Sequence, residues 1–139
     1  KVTVQSGPGG QTIMLPSPMT VRFTLSSDGI IMDSQLGLQW APATDQPMNW
    51  FKAKKYTQNL SLGGGGWRLP TRPELKSIYN KSMKGNADPA FHINDNWVWT
   101  SETRGKSAWL FNFAFGLDIT YSRFTSYRFL RVLAVRSGK

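Results

Sequence analysis

Short stretches early in the main body of the chain alternate apolar and polar positions, which predicts β-strands. Residues 21–25 alternate in this way, a Ser-Asp-Gly sequence at residues 27–29 is typical of a turn, and residues 30–32 resume the pattern. Residues 35–40 are then expected to form a strand that pairs back onto the first two. Two prolines soon afterwards end this sheet segment, because proline lacks the N–H that a ladder needs.

The last third of the chain has the same period of two. Every second residue in the stretch 109–115 is aromatic, which predicts a strand with four rings on one face: Trp109, Phe111, Phe113 and Phe115. Gly116 predicts a turn, and residues 117–121 are expected to return as the hairpin partner. Residues 130–135 are apolar at nearly every position near their end, as is typical of a single central strand.

Between these strands the apolar spacing changes to that of a helix. Asn49 is a good N-cap for a helix over residues 50–60. The buried face of this helix is predicted to contain the residues Trp50, Ala53, Thr57 and Leu60. Lysines occupy other sides of the same helix, so it should present a basic stripe to solvent.

A second helix is predicted to begin at Thr71, which forms a capping box with Glu74, and to end near Asn80. Its buried face should include Leu75, Ile78 and Tyr79, and a polar loop should follow at residues 82–96. Strands, then two helices, then strands predict an α+β fold.

The length of the chain, 139 residues, is typical of one domain with a core of its own. Residues 1–20 are rich in glycine, proline and polar residues, so we expect an extended arm or linker there and a single domain over residues 21–139. No apolar run reaches the roughly 18–20 residues that a membrane span requires, so no span is expected.

The balance of charge indicates an anionic partner. Seventeen Lys and Arg residues against eight Asp and Glu give a net charge of +9, which attracts anions over long range. Nucleic acid, anionic lipid and sulfated or carboxylated polysaccharide are the candidate partners. The chain has no cysteine, so disulfides, thiolate catalysis and cysteine metal sites are all excluded.

Motifs that would support catalysis are missing from the sequence. The one histidine, His92, has no partner at a suggestive spacing, and a surface or turn position is expected for it. The run Gly63–Gly66 precedes Trp-Arg-Leu-Pro and not the Lys-Ser or Lys-Thr of a phosphate loop. Residues 94–96, Asn-Asp-Asn, favour a turn over a calcium site. We therefore expect no enzyme activity, catalytic residue, metal or cofactor.

Basic residues recur in three groups with few acids close by in the sequence, which favours an anion-binding role over mere solubility. These candidate polyanion-binding residues are Lys52, Lys54 and Lys55; Lys76, Lys81 and Lys84; and Arg104 and Lys106 with Arg123 and Arg128. Arginine matches the geometry of sulfate and carboxylate groups, and lysine adds a more diffuse positive charge. Most aromatic residues fall at core positions, but the sequence leaves a core role and a ligand-stacking role both open for Trp97, Trp99, Tyr121, Phe124 and Tyr127.

Four segments, in order along the chain, resemble the motifs of a known family. They are Asp33 followed by Leu36-Gly37-Leu38-Gln39-Trp40; Gly63–Gly66 followed by Trp67-Arg68-Leu69-Pro70-Thr71-Arg72-Pro73-Glu74-Leu75; Trp99-Thr100-Ser101-Glu102; and Val135-Arg136-Ser137-Gly138. Over about residues 28–138 the sequence is similar to the Lcl C-terminal domain family, named for the C-terminal domain of the Legionella collagen-like adhesin. Its relatives occur in bacterial surface and periplasmic proteins.

The resemblance implies a C-type-lectin-like fold of the formylglycine-generating-enzyme type, with two helices packed on twisted antiparallel sheets. It also implies an extracellular or cell-surface location, a homotrimer and binding of sulfated glycosaminoglycans such as heparin. The calcium-binding motifs of sugar-binding C-type lectins are absent, so charge would have to supply the binding. In the central motif, Trp67 and Leu69 are expected in the core, and Arg68 is expected to form a buried or half-buried hydrogen-bonded pair.

Two other functions share the same basic residues. A nucleic-acid-binding domain would use the same charge, but the sequence has no nucleic-acid-binding motif. A structural surface subunit without a soluble ligand would need the charge only for solubility. The leading hypothesis is a non-catalytic adhesin domain that binds acidic polysaccharide.

Overall fold

The computed structural model describes residues 21–138, and the predicted arm at residues 1–20 lies outside them. The described elements confirm the α+β class. In chain order they are β1 (Phe23–Leu25), β2 (Ile31–Asp33), β3 (Leu38–Ala41), α1 (Trp50–Asn59), α2 (Arg72–Ile78), β4 (Trp97–Arg104), β5 (Ser107–Asn112), β6 (Leu117–Ser122), β7 (Leu130–Arg131) and β8 (Ala134–Ser137). Among these residues, neither helix has the length and apolar character needed to cross a membrane.

The strands form two four-stranded sheets. The first has the order β1-β2-β3-β8 and is antiparallel throughout. The second has the order β6-β5-β4-β7, in which β4 and β7 are parallel and the other pairs are antiparallel. The predicted hairpin of β5 and β6 is confirmed, with Leu110 opposite Ile119.

The prediction of one central strand over residues 130–135 is wrong. Residues 130 and 131 pair with β4 in the second sheet, whereas β8 pairs with β3 in the first. Val132 and Leu133 cross from one sheet to the other and are completely buried. The segment is largely apolar because it passes from one sheet to the other through the core, and not because it is a strand in the middle of one sheet.

The prediction of four aromatic rings on one face of residues 109–115 is also wrong. The strand ends at Asn112, whose Oδ1 accepts hydrogen bonds from the N–H groups of Ala114 (2.8 Å) and Phe115 (3.2 Å). Phe115 is consequently 73% exposed, while Phe111 and Phe113 are buried. Both faces of β5 pack against core residues, so the aromatic period does not distinguish a buried face from an exposed one.

Both predicted helices are present, with their predicted caps. The Oδ1 of Asn49 accepts a hydrogen bond from the N–H of Lys52 (2.9 Å), and α1 buries the residues Trp50, Ala53 and Thr57. Thr71 and Glu74 form the capping box of α2. The second helix ends at Ile78, slightly before the predicted end, and Tyr79 is half-buried.

The segment predicted as a polar loop, residues 82–96, contributes to the core. It contains two short 3₁₀ turns, and it buries Ala87, Phe91 and Ile93. The ring of Phe91 makes an edge-to-face contact with Trp40, at 5.4 Å between ring centroids. His92, at a left-handed φ of 58° directly after it, is exposed as expected.

The four-glycine run wraps around one arginine. Arg136 donates hydrogen bonds to the carbonyl oxygens of Gly63 (2.9 Å) and Gly65 (2.6 Å) and to the Oε1 of Gln39 (2.8 Å). Its guanidinium lies 4.4 Å from the ring centroid of Trp67, which is buried as predicted. Gly63 has a left-handed φ of 57°, and a Cβ there would lie 2.6 Å from Nη2 of Arg136. The glycines therefore serve backbone packing.

Candidate functional site

Three salt bridges pair acids with arginines that are not among the candidate binding residues. They join Arg22 to Asp33 (2.8 Å), Arg68 to Glu74 (2.8 Å) and Arg72 to Glu102 (2.6 Å). Within residues 21–138, no candidate polyanion-binding residue forms a salt bridge. Three of the eight acids are thus paired with other arginines, and the candidate cations are not neutralised by a salt bridge.

Arg68 forms the hydrogen-bonded pair that its motif predicts. Its two Nη atoms bind the two carboxylate oxygens of Glu74 at 2.9 and 2.8 Å, although the Arg68 side chain is still 46% exposed. Burial opposes ionisation of Glu74, but hydrogen bonds from Arg68 and Thr71 outweigh it and hold the pKa of Glu74 below its ordinary value. In return, the hydrogen bonds to Glu74 raise the pKa of Arg68.

Arg123 connects three separate elements of the chain. Its Nη2 donates to the carbonyl oxygen of Gly105 (2.8 Å) and its Nε donates to that of Lys106 (3.2 Å), both in the turn between β4 and β5. Its own carbonyl oxygen accepts from the N–H of Trp50 (3.0 Å) at the start of α1. These bonds join Arg123 to the backbone of the β4–β5 turn and to the first residue of α1.

Lys54 and Arg123 share one aromatic ring. The Nζ of Lys54 lies 5.4 Å, and the Cζ of Arg123 5.6 Å, from the ring centroid of Trp50. Arg123 also lies 5.5 Å from the ring of Phe51, which is 43% exposed and contacts the 75% exposed Phe124 at 5.2 Å. Cations over aromatic rings are attracted by the ring quadrupole, which keeps them in place.

These contacts link cations and exposed rings into one surface, which the exposed residue Lys106 joins through its backbone carbonyl oxygen. We call it the basic aromatic surface, and it consists of Phe51, Lys54, Lys106, Arg123 and Phe124. Sequence reasoning found its cations and left Phe124 open, but it missed Phe51. The signal was available, because Phe51 falls outside the helical period of the buried residues of α1.

Two further members of the third sequence group lie near the same elements. Arg104 is exposed at the end of β4, paired in register with Ser107. Arg128 lies at the far end of the β6–β7 loop, 5.3 Å from the ring of Phe129. Phe129 contacts Trp97, which stacks on Tyr121 at 5.5 Å.

The other aromatic residues that the sequence left open differ in their exposure. Trp99 is completely buried, and Trp97 and Tyr121 are half-buried. Tyr127 is exposed beside Trp97, at 6.1 Å between ring centroids. Trp97, Tyr121, Tyr127 and Phe129 therefore form an aromatic cluster with Arg128 at its edge. Tyr127, Arg128 and Phe129 lie in the same β6–β7 loop as Arg123 and Phe124 of the basic aromatic surface.

The structure separates Lys52 and Lys55 from Lys54. All three are exposed, but Lys52 and Lys55 line a shallow groove with Tyr56 and Asn59, on another side of α1. They extend the basic stripe predicted for this helix. No described contact joins them to the ring of Trp50.

The second sequence group lies on α2 and in the turn after it, and it is not joined to the others by any described contact. Lys76 and Lys81 are exposed. Lys84 lines a cleft together with Asp88 and Asp95, whose carboxylates oppose the binding of an anion there. This group is thus less suited to a polyanion than the basic aromatic surface.

The described part of the chain also bears on a metal site. Over residues 21–138, no group of three or more His, Cys, Asp or Glu side chains is placed to hold a metal ion. Asn94 and Asp95 have left-handed φ values of 50° and 65°, and the N–H of Asp95 donates to the carbonyl oxygen of Gly85 (3.1 Å). These residues form the turn that the sequence favoured.

Comparison with known families gives a match over most of the chain. The family model of the Lcl C-terminal domain matches residues 29–136. This range includes every element from β2 to α2, the whole second sheet and most of β8. No curated protein matches the chain significantly.

Proposed function

Because the chain belongs to the Lcl C-terminal domain family, we propose that it is a non-catalytic binding domain of a bacterial surface protein, and that it holds sulfated polysaccharide at the basic aromatic surface. Arg123 carries the proposal, because it bonds to the backbone of Lys106 and of Trp50 and lies, together with Lys54, over the ring of Trp50. Over residues 21–138 none of the surface's cations forms a salt bridge.

The chemistry of the surface matches a sulfated sugar chain on two counts. The guanidinium and ammonium groups match sulfate and carboxylate groups. The exposed rings of Phe51 and Phe124 offer flat apolar surface for the C–H face of a sugar. A ligand that carries both a ring and an anion uses both features.

The expected energetics favour a long ligand and several copies of the domain. One exposed ion pair contributes about 0–1 kcal/mol, so useful affinity requires several contacts at once. We propose that the domain acts as a homotrimer, in which three basic aromatic surfaces bind one polysaccharide at a high effective concentration. The two helices beside two antiparallel-rich sheets are compatible with a C-type-lectin-like fold, which belongs to the same proposal.

Heparin-affinity chromatography across a salt series tests the proposal. Retention should fall steeply as the salt concentration rises, because charges are screened over about 10 Å at 0.1 M salt. Uncharged dextran should not retain the domain at any salt concentration. Retention on heparin that persists unchanged in high salt, or retention on dextran equal to that on heparin at low salt, would contradict the charge-based mechanism.

A competition experiment separates polysaccharide from nucleic acid, which could also use charge and ring stacking. Heparin and single-stranded DNA are added at matched total charge to domain bound on a heparin column. We expect heparin to elute the domain at a lower concentration than DNA does. Elution by DNA at the lower concentration would favour the nucleic-acid-binding function.

A further inference from the structure

We infer that a cleft between α1 and the Trp67-Arg68-Leu69 segment receives one anionic sugar ring of the hexuronate class. The inference rests on the proposed function and names a site within it for a single unit of the polysaccharide. The cleft has a volume of about 280 Å³ and opens beside Lys54. We call it the ring cleft.

The floor of the ring cleft is apolar. It is formed by Trp50, Trp67 and Leu69, which are almost completely buried. The indole N–H groups of the two tryptophans point away into the protein, where they donate to the carbonyl oxygens of Thr100 and Leu62, each at 2.8 Å. What the tryptophans offer to the cleft is therefore carbon surface, which suits the C–H face of a sugar ring.

The walls of the ring cleft carry cations and neutral hydrogen-bonding groups. Lys54 and Gln58 lie one helical turn apart on α1, and Ser101 contributes from β4. Arg68 contributes from the other lining segment. No Asp or Glu side chain of the described residues lines the cleft. Because Arg68 is paired with Glu74, Lys54 is the lining cation that forms no salt bridge among those residues.

Arg68 retains hydrogen-bonding capacity although it is paired with Glu74. Its bonds to Glu74 and to the carbonyl oxygen of Leu69 use three N–H groups among the described residues. A guanidinium has five N–H groups, so two remain for a ligand. The pairing also fixes the guanidinium in position, which reduces the entropy lost on binding.

The size of the ring cleft limits the ligand to one sugar ring. Sites for drug-sized ligands have volumes of about 300–1,000 Å³, and this cleft, at about 280 Å³, falls just below that range. Lys54 also borders the basic aromatic surface through the ring of Trp50. One ring in the cleft would therefore be continuous with neighbouring units that contact Arg123.

Titration with glucuronate, followed by amide and indole chemical shifts in NMR, tests the inference. Glucuronate should shift the signals of Gln58 and Ser101 and the indole signals of Trp50 and Trp67, whereas glucose at the same concentration should not. Sodium chloride at equal ionic strength is the blank. Equal shifts with glucose, or shifts confined to residues outside the cleft, would overturn the inference.

Matched variants locate the binding site and separate the two proposals. Gln58→Ala should weaken glucuronate binding about fivefold, the effect of one lost hydrogen bond, while the neighbouring Asn59→Ala should leave it unchanged. Ser101→Leu should block the cleft, and Thr103→Leu on the same strand should not. If the Gln58→Ala and Ser101→Leu proteins bind glucuronate normally, the inference is wrong. Salt-sensitive retention on heparin would still support the proposed function in that case.

Discussion

At the scale of single residues, Asp33 of the first family motif is a charged residue with a structural role. Its carboxylate accepts two hydrogen bonds from Arg22 (2.8 and 2.9 Å) and one from the indole of Trp40 (3.1 Å). It also accepts from the N–H groups of Gln35 and Leu36 in the turn before β3. Arg22 in turn donates to the carbonyl oxygen of Ser77 (2.8 Å), so the motif joins the first sheet to α2.

Replacing Asp33 should destabilise the domain strongly. Asp33→Ala leaves the guanidinium of Arg22 partly buried without a counter-charge, which typically costs about 3–5 kcal/mol. Asp33→Asn keeps acceptors for the turn and should cost less. Urea denaturation measures the difference, with Asp45→Ala as the exposed control. An Asp33→Ala protein as stable as the control would contradict this role.

The pH dependence of stability should come from the same kind of pair. Burial opposes ionisation of Asp33, but hydrogen bonds from Arg22 and Trp40 outweigh it, so its pKa lies below its ordinary value, like that of Glu74. Lowered folded-state values mean that the stabilisation is complete above about pH 4 and is lost as pH falls further.

Thermal unfolding followed at several pH values measures this dependence. The midpoint temperature should be steady between pH 7 and pH 5 and should fall below about pH 4. Glu74→Gln should lower the midpoint at neutral pH and make the fall at acid pH smaller. A steep loss already between pH 7 and pH 5 would exclude these carboxylates as its cause.

At the scale of elements, the sequence predicted what is decided locally. Each helix begins directly after its N-cap residue, which is Asn49 for α1 and Thr71 for α2. Both caps are as predicted. The ends of strands depend on partners far away in the sequence. Residues 130–135 divide between two sheets because β4 and β3 offer separate edges, and no pattern within the six residues could show this.

The glycine run shows the same limit for loops. Its composition excluded a phosphate loop, but the contact with Arg136 joins residues more than seventy positions apart. Only the folded chain shows that the carbonyl oxygens of Gly63 and Gly65 bind this guanidinium.

Gly63→Ala should destabilise the domain more than Gly37→Ala. Both glycines have left-handed φ values, 57° and 66°, so each alanine costs about 1–2 kcal/mol in backbone strain. Only at Gly63 would the new Cβ also displace Arg136, at the cost of about 1 kcal/mol for each hydrogen bond broken. Urea denaturation of the two variants should show this additional loss, and equal stabilities would contradict it.

At the scale of the whole molecule, the basic residues differ in whether an acid neutralises them. Three of the eight acids form salt bridges, and their partners are Arg22, Arg68 and Arg72, whereas the candidate cations form none in the described part of the chain. The sequence identified the cations by their scarcity of nearby acids. It grouped Lys106 with Arg123, and in the structure Arg123 donates a hydrogen bond to the backbone carbonyl oxygen of Lys106.

What the sequence could not predict is the addition of Lys54 to that group. Lys54 is separated from Arg123 by nearly half of the chain, and the two residues meet only because Trp50 packs beneath both. Helical spacing does place Lys52 and Lys55 on another side of α1 from Trp50, and the structure agrees. The position of a binding surface depends on tertiary contacts even where its residue types are evident.

Two double variants with the same loss of charge test most directly whether the basic aromatic surface holds the polysaccharide. Lys54→Gln with Lys106→Gln removes two charges from that surface, and Lys76→Gln with Lys81→Gln removes two from α2 and the turn after it. The measurement is the dissociation constant for a heparin oligosaccharide at 0.15 M salt, after unfolding curves have shown that both proteins are folded. The first variant should bind about tenfold more weakly than the unmodified domain, and the second should change little. Equal weakening of both would show that only the net charge matters and would contradict the account.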